Sequence, residues 1–189
     1  MKIRDVFGDL PEIETERLLL RKMMADDAGD VFDYASDPQV ARYVIWDTHR
    51  SIRDSESFLE LVVEGYRNGE LGNWGMVDKE SGKLIGTCGY DSSWSPVHAR
   101  AEIGYALSRQ HWGRGLMPEA VTALLKFGFG RMKLNRIVAR CFSQNTASEK
   151  VMRKVGMTYE GTLREYLYLK GDYQDLKVYS ILRSEYRTG

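Results

Sequence analysis

Cysteine and histidine are scarce in this chain, which narrows the kinds of site that it can hold. Two cysteines occur in 189 residues, Cys88 and Cys141, and each falls inside a predicted strand. Two cysteines make no disulfide framework, so we expect buried, inert thiols in a reducing compartment, the cytoplasm. Two of the three histidines, His49 and His98, have no cysteine or carboxylate at metal-ligand spacing. We therefore expect no metal site.

The chain also lacks an excess of either charge, and it lacks a long apolar run. Its 27 basic residues equal its 27 acidic residues, which argues against a protein that binds nucleic acid through bulk positive charge. No stretch is long enough to span a bilayer, and residues 1–5 do not begin a signal peptide. We therefore expect neither a nucleic acid nor a membrane as a partner.

Strand and helix patterns alternate along the chain and predict one domain. The domain is expected to span 1–189, with a core over about 15–187 and an N-terminal extension over 1–14. Strands are predicted at 18–23, 73–78, 83–90, 101–108, 136–142, 158–170 and 173–181. Helices are predicted at 26–35, ending at Asp37-Pro38, and at 51–68, 115–131 and 146–155. This order predicts an α/β (α+β) fold with a single curved sheet and helices on both faces.

The turn before the third predicted helix is the strongest sign of a ligand site. Gly113 and Gly115 put no side chains over the turn, so a ligand can approach the backbone closely. The helix behind them has unpaired amide N–H groups and the positive end of its dipole, which suit phosphate oxygens. Pro118 in the first turn predicts a helix start near Gly115. A Rossmann motif would need glycine at position 118, and a Walker loop would need Gly-Lys-Ser/Thr; neither is present.

A second motif lies in the helix predicted at 146–155. Thr146 and Glu149 have the spacing of a capping box. An apolar stripe repeats every fourth residue at Ala147, Val151 and Val155. Gly156 is the expected left-handed residue after the helix. The segment therefore predicts a short helix with well-defined ends.

Both segments resemble motifs of the GCN5-related N-acetyltransferase (GNAT) family. Gln110-x-x-Gly113-x-Gly115 is similar to its Gln/Arg-x-x-Gly-x-Gly/Ala loop, and Asn145-x-x-Ser148 begins its Asn-x-x-Ser-x-x-Val signature. Segments 16–21, 101–105 and 171–175 resemble the RimJ/RimL-type branch, which includes ribosomal-protein alanine N-acetyltransferases. The resemblance covers nearly the whole chain from about Thr15. It implies a mixed, mostly antiparallel, splayed sheet of about seven strands with about four helices on both faces.

The resemblance implies acetyl-CoA as the cofactor. Backbone amides over 110–116 would bind the diphosphate, with charge-assisted contacts from Arg109 and Arg114 unless both are solvated. The Leu107 main chain would pair with the pantetheine amides as an added strand does. Asn145 would hydrogen-bond the pantetheine arm, cap its helix, or do both. The expected contacts are Ile103, Tyr105, Leu107, Arg109, Gln110, Trp112, Gly113, Arg114, Gly115, Leu116, Asn145 and Ser148.

Ser148 and Glu102 are the expected catalytic residues. Many family members have a tyrosine acid four residues after the position of Ser148, where this chain has Met152. Ser148 is therefore expected to protonate or steady the departing thiolate; packing on the cofactor is the alternative. Glu102, on the strand beside the thioester, is expected to take the amine proton directly or through a water. A solvent-facing strand glutamate is the alternative.

RimL-like enzymes use as the base a glutamate in the strand after the second helix, and this chain departs from that pattern. The matching position is Leu167, with Glu165 and Tyr166 nearby. Glu165 or Tyr168 is therefore a substitute candidate for the base.

The family resemblance implies an amine acceptor without naming it. The leading hypothesis is a protein N-terminal α-amine; the second is a small amine such as a polyamine, an amino acid or an antibiotic. The third is a catalytically idle acyl-CoA-binding sensor or interaction module. A homodimer is left open. Trp46 and Trp94 are candidates for an acceptor groove, and Glu56, Glu60 and Glu64 form an acidic stripe that is either solvated or attracts a cationic substrate.

Overall fold

One sheet of eight strands organises the structure, a computed structural model that describes residues 6–69, 72–90, 95 and 97–187. The strands are β1 (Ile13–Glu14), β2 (Leu18–Arg21), β3 (Gly72–Asp78), β4 (Leu84–Tyr90), β5 (Arg100–Leu107), β6 (Arg136–Phe142), β7 (Thr158–Leu169) and β8 (Asp172–Leu182). Their order is β1-β2-β3-β4-β5-β6-β8-β7. Neighbours are antiparallel except β5 and β6, which are parallel.

Five α-helices accompany the sheet within the described ranges. They are α1 (Ala28–Ala35), α2 (Pro38–Ala41), α3 (Ile52–Asn68), α4 (Leu116–Gly130) and α5 (Thr146–Lys154). The predicted fold is confirmed, and the additions are short: the two-residue β1 and the four-residue α2. Asp37-Pro38, predicted as a helix end, also starts α2, because the Asp37 carboxylate accepts the Gln39 N–H at 2.9 Å.

Helices cover both faces of the sheet, as predicted. In β4, Thr87 hydrogen-bonds Tyr34 of α1, whereas the Tyr90 hydroxyl donates to the Leu124 carbonyl of α4. Residues three apart in a strand point to opposite faces, so one side is the α1 face and the other the α4 face. The β4–β5 register places Tyr105 opposite Cys88, on the α4 face. Glu102, an odd number of residues before Tyr105, therefore lies on the α1 face.

β5 and β6 separate halfway along their length, which confirms the predicted splay. Their pairing runs from Arg100↔Arg136 to Ile103↔Ala139, and the described residues contain no later pair. β5 stays paired with β4 as far as Leu107, and β6 stays paired with β8 as far as Phe142. Residues 104–107 of β5 therefore have one main-chain edge that no strand of the described chain covers. Such an edge can bind an extended ligand as a further strand.

The predicted capping box of α5 is wrong by one residue. Asn145 is the N-cap, and its Oδ1 accepts the Ser148 N–H at 3.1 Å. Glu149 does not reach back to the helix start, because its carboxylate is bound by Lys177 and Tyr179 of β8. The helix start is thus fixed by one side chain, and the glutamate joins the helix to the sheet.

The N-terminal segment contributes to the core where the structure describes it. Val6, Phe7 and Leu10 are buried, and the Trp74 indole N–H donates to the Pro11 carbonyl at 2.7 Å. Residues 1–5 and 188–189, which set the predicted domain ends, lie outside the described residues, as does Trp94. Among the described residues, no helix combines the length and the apolar character needed to cross a membrane.

Candidate active site

The turn between β5 and α4 presents bare main-chain donors. A 3-10 turn over Arg109–His111 is followed by Gly113 at φ 76° and Gly115 at φ 80°. Both angles lie in the left-handed region that favours glycine. A Cβ added at Gly113 would meet no atom within 4 Å, so the space above the turn is open. The N–H groups of 113–117 have no acceptor in the described chain, whereas those of His111 and Trp112 are used within the turn.

Arg17, in the connection between β1 and β2, contacts this turn and the helix behind it. The sequence patterns did not predict these contacts. Arg17 Nη1 donates to the Arg114 carbonyl at 2.9 Å. Its backbone N–H and Nε donate to the two carboxylate oxygens of Glu119 in α4, each at 2.8 Å. The Thr15 hydroxyl also donates to Glu119 at 2.6 Å. These charge-assisted bonds fix the carbonyl side of the turn, so its N–H groups stay turned outwards.

The two arginines predicted to meet the diphosphate are placed differently. Arg109 Nε lies 2.6 Å from the Asp37 carboxylate, which caps α2. The Gln39 N–H and then Arg109 lower the pKa of Asp37. Arg114 is about half exposed, and its guanidinium lies 3.8 Å from Glu80. Arg109 therefore links the glycine turn to α2, while Arg114 remains accessible beside the turn.

The Trp112 side chain connects the glycine turn to the end of β5. Trp112 Nε1 donates to the Leu107 carbonyl at 2.8 Å, although the Trp112 side chain is 46% exposed. Ile103 and Leu116 are buried in the core, so only their main-chain groups could face a ligand. Gln110 is exposed in the 3-10 turn. The predicted contact residues thus gather at the glycine turn and the unpaired edge of β5.

Tyr105 and Ser148 meet on the α4 face beside the β5–β6 gap. The Tyr105 hydroxyl lies 2.9 Å from Ser148 Oγ. Burial raises the pKa of Tyr105, so the phenol stays protonated and can donate a hydrogen bond. Ser148 is in the first turn of α5, whose N-cap is Asn145. Two hydroxyl groups therefore line the place where an extended ligand along β5 would end.

Glu149 anchors the helix that carries Ser148. Its carboxylate accepts bonds from Lys177 Nζ at 2.6 Å, the Tyr179 hydroxyl at 2.7 Å and Arg153 at 2.8 Å. These bonds, that of Lys177 above all, lower the pKa of Glu149 to about 2. Lys177 and Tyr179 thus join α5 to β8 through this carboxylate, and Arg153 adds a bond within the helix.

Glu102 lies on the opposite, α1 face and has a cationic partner. Arg140 of β6 donates its Nε to Glu102 at 2.7 Å. The guanidinium also lies 5.5 Å from the centre of the Tyr166 ring. The Glu102 carboxylate is therefore held by Arg140, and its expected role as proton acceptor stays a prediction. Glu102 and Ser148 are thus on the two sides of the sheet.

Of the two substitute candidates for the base, Glu165 lies on a bulge of β7, and Tyr168 lies in the regular pairing after it. Leu163 pairs with Leu176 and Leu167 with Gln174, so three residues of β7 oppose Asp175 alone. Glu165, in the middle, has φ 48°, and Asp175 accepts its N–H at 2.8 Å. The bulge brings Tyr166 to Arg140, as bulges re-aim side chains. Tyr168 instead packs its ring on Tyr173.

A cavity of about 350 Å³ opens beside this site. Its lining comes from α2 and the loop after it, the end of β6, and the β7–β8 hairpin: Pro38, Ala41, Arg42, Tyr43, Thr48, Phe142, Gln144, Leu169, Lys170 and Gln174. Phe142, like Arg140, is on the α1 face, since both are an even number of residues from Val138, which pairs with Glu102. Trp46 is not among the lining residues, and the acidic stripe of α3 is exposed to solvent.

Both cysteines are buried free thiols, and burial raises the pKa of Cys141 to about 11. The described residues contain no group of three side chains that could hold a metal ion.

Comparisons with known proteins identify the family of this chain. The acetyltransferase (GNAT) domain family matches residues 17–158. The uncharacterized N-acetyltransferase p20 of Bacillus licheniformis is 37% identical over 91% of this chain and 96% of its own length. The [ribosomal protein uS5]-alanine N-acetyltransferase of Escherichia coli is 23% identical over 89% and 90%.

A solved structure agrees with the sequence comparisons. A GNAT-family acetyltransferase from Bacillus anthracis superposes with a TM-score of 0.82 at 31% identity, over 93% of this chain and 100% of that chain. Members of the family take their acetyl group from acetyl-CoA. The glycine turn, the splayed strands and these matches lead to one conclusion: the chain belongs to the GNAT family of acetyltransferases.

Proposed function

We propose that this acetyltransferase transfers the acetyl group of acetyl-CoA to the N-terminal α-amine of a protein or peptide. The observation that carries the proposal is the two-sided site. The glycine turn, the β5 edge and Ser148 lie along the α4 side of the gap, and Glu102 and the cavity lie on the α1 face. A thioester and an amine can therefore enter from opposite sides and meet where β5 and β6 separate.

The residues of the turn fit the CoA diphosphate. Five consecutive residues, 113–117, offer main-chain N–H groups, and Pro118, which has none, follows them. No side chain fills the space at Gly113. A helix N-terminus with free N–H groups favours phosphate oxygens. Bound acetyl-CoA supplies an activated acetyl group. The chain's contribution is to hold it along β5, with Asn145 and Ser148 beside the sulfur end.

The attacking amine and the departing thiolate have different needs, which give Glu102 and Ser148 different roles. Transfer forms a bond between the amine nitrogen and the acetyl carbon and breaks the carbon–sulfur bond. The attacking amine loses one proton, and Glu102 is the group that takes it, directly or through a water. The CoA sulfur leaves as a thiolate, which accepts a hydrogen bond from the Ser148 hydroxyl, and the Tyr105 hydroxyl lies 2.9 Å from Ser148 Oγ. An α-amine with a pKa near 8 needs only modest help to lose its proton.

The relatives support the choice of acceptor. The E. coli protein of 23% identity is named for its action on the alanine of a ribosomal protein. The cavity on the α1 face, walled partly by the loop after α2 and by the β7–β8 hairpin, is the place that we propose for the peptide N-terminus.

Release of free thiol from acetyl-CoA tests the proposal. The acceptors are peptides with a free N-terminus, the same peptides with a blocked N-terminus and one internal lysine, and spermidine. We expect thiol release and an acetyl mass increase with free N-termini alone, with a rate that rises as pH approaches about 8. Tight CoA binding without thiol release from any amine would contradict the proposal and favour an acyl-CoA sensor. Faster reaction of spermidine would favour a small-amine enzyme.

A further inference from the structure

The cavity on the α1 face carries charge of one sign. Two of its lining residues are cations, Arg42 and Lys170, and none is a carboxylate. The other lining groups are uncharged: two amides, two hydroxyl groups, two aromatic rings and aliphatic side chains. The acidic stripe of α3 is on the solvent side of that helix and does not line the cavity. An amine therefore enters a positive environment here.

Both cations are positioned by contacts in the folded chain. Lys170 and Gly171 form the two-residue turn between β7 and β8, with φ 54° and 85°, as in a type I′ hairpin turn. The Lys170 ammonium group donates to the Ala41 carbonyl at the end of α2. The Arg42 guanidinium lies 5.0 Å from the centre of the Tyr43 ring. Both charges thus lie near the end of α2, since Lys170 contacts the residue before Arg42, and each has donors left over for a ligand.

The cavity adjoins the proposed reaction site. Phe142 and Gln144 line it, and the next residue is Asn145, which caps the helix that carries Ser148. Phe142 is on the face of Glu102. An acceptor in the cavity would therefore lie beside the gap, on the side where the amine is expected.

We propose that this cavity recognises a carboxylate on the acceptor, a short distance from the amine to be acetylated. This inference rests on the proposed function and names its acceptor class. A guanidinium and an ammonium group bind a carboxylate through charge-assisted hydrogen bonds. The same charges repel a polyamine, and they favour the uncharged, nucleophilic form of the amine. The carboxylate is either an acidic side chain next to a peptide N-terminus or the α-carboxylate of a free amino acid.

A matched peptide series tests this preference. Three peptides with an amidated C-terminus share an N-terminal alanine followed by two glutamates, two glutamines or two lysines, and a further pair is free alanine and alanine amide. We expect kcat/KM to fall in the order glutamate, glutamine, lysine, with at least about a fivefold step from glutamate to glutamine, which weakens at high salt. If alanine exceeds its amide and every peptide, the carboxylate preference stands, but the acceptor is a free amino acid and the proposed peptide acceptor is wrong.

Charge-removing variants locate the preference. The double variant Arg42→Gln with Lys170→Gln should bring the glutamate-to-glutamine ratio close to 1. Lys126→Met, which removes an exposed cation of α4, should keep the wild-type ratio. CoA affinity measured by calorimetry shows whether each variant is folded.

The outcomes separate the inference from the proposed function. Equal rates for the three peptides, or a ratio that survives the double variant, would overturn the carboxylate preference and leave the acetyltransfer to peptides intact. Thiol release from none of the acceptors would overturn the proposed function and, with it, this inference.

Discussion

At the residue scale, two glycines decide what the β5–α4 turn can bind. Gly113 and Gly115 adopt positive φ angles, and the space above Gly113 is open. The sequence predicts this turn because the reasons are local: glycine spacing, a following helix and a proline in its first turn. Arg17 could not be predicted in the same way, because its partners Arg114 and Glu119 are distant in the chain.

Replacing Gly113 tests the diphosphate site. Gly113→Asp should raise the Kd for CoA at least about tenfold, because a carboxylate would face the diphosphate. Gly113→Asn has nearly the same shape without the charge and should lose much less affinity. Gly82→Asp is the control, because Gly82 has φ 71° and an equally open surrounding in the β3–β4 turn. Unchanged CoA affinity in Gly113→Asp, measured by calorimetry, would refute the site.

Two substitutions distinguish a chemical role of Ser148 from a packing role. The Ser148 hydroxyl is 2.9 Å from that of Tyr105, so Ser148→Ala and Tyr105→Phe each remove one partner of the same pair. Both should lower kcat, by about tenfold or more for Ser148→Ala, while the Kd for CoA changes less than about threefold. Ser81→Ala, which removes a hydroxyl from the β3–β4 turn and leaves the Tyr105–Ser148 pair intact, should change neither. A wild-type kcat in Ser148→Ala would leave Ser148 with packing alone.

At the element scale, α5 depends on one carboxylate. Glu149 holds the helix to β8 through Lys177 and Tyr179, and its pKa is lowered to about 2. A lowered pKa means that the folded state favours the ionised form. The stabilisation is therefore fully present above the ordinary pKa of about 4.5 and is lost as pH falls towards 2.

Because the pKa of Glu149 is lowered in the folded state, the loss of its carboxylate should change stability by an amount that depends on pH. Glu149→Gln should melt at a lower temperature than the wild type at pH 7, and the gap should narrow steadily between pH 4.5 and pH 2. Glu60→Gln, on the exposed face of α3, is the matched control and should melt like the wild type at each pH. A gap for Glu149→Gln that is constant with pH would contradict the anchoring role.

Elements with strong local signals were predicted well, and those that depend on distant contacts were not. α3 starts after Ser51 because Asp54 accepts the Ser51 N–H at 2.9 Å, and it ends at Gly69 in the left-handed conformation. The capping box of α5 failed because Lys177 and Tyr179 compete for Glu149. The bulge of β7 was missed, since it rests on Asp175 of the neighbouring strand.

At the scale of the whole molecule, the sheet separates the side from which we propose that CoA binds from the side that we propose for the amine, and both sides reach the gap between β5 and β6. Sequence motifs predicted the residues of the proposed CoA side, because most of them lie within residues 103–116. The opposite side combines Glu102 with Arg140, and Arg42 with Lys170, from elements far apart in sequence. Only the folded sheet brings these residues together.

Binding of CoA should stabilise the whole fold. A ligand that binds only the folded state contributes about 2.7 kcal/mol at a concentration of about 100 times its Kd. The wild type should therefore melt several degrees higher with CoA, whereas Gly113→Asp at the same concentration should shift much less. A melting temperature that CoA leaves unmoved would contradict the proposed binding.

A crystal structure with bound CoA tests the central claim most directly. We predict diphosphate oxygens within hydrogen-bond distance of the main-chain N–H groups of 113–117. The pantetheine arm should run along residues 104–107 of β5, with the sulfur next to Ser148. A diphosphate bound away from this turn, or an arm outside the β5–β6 gap, would contradict the account.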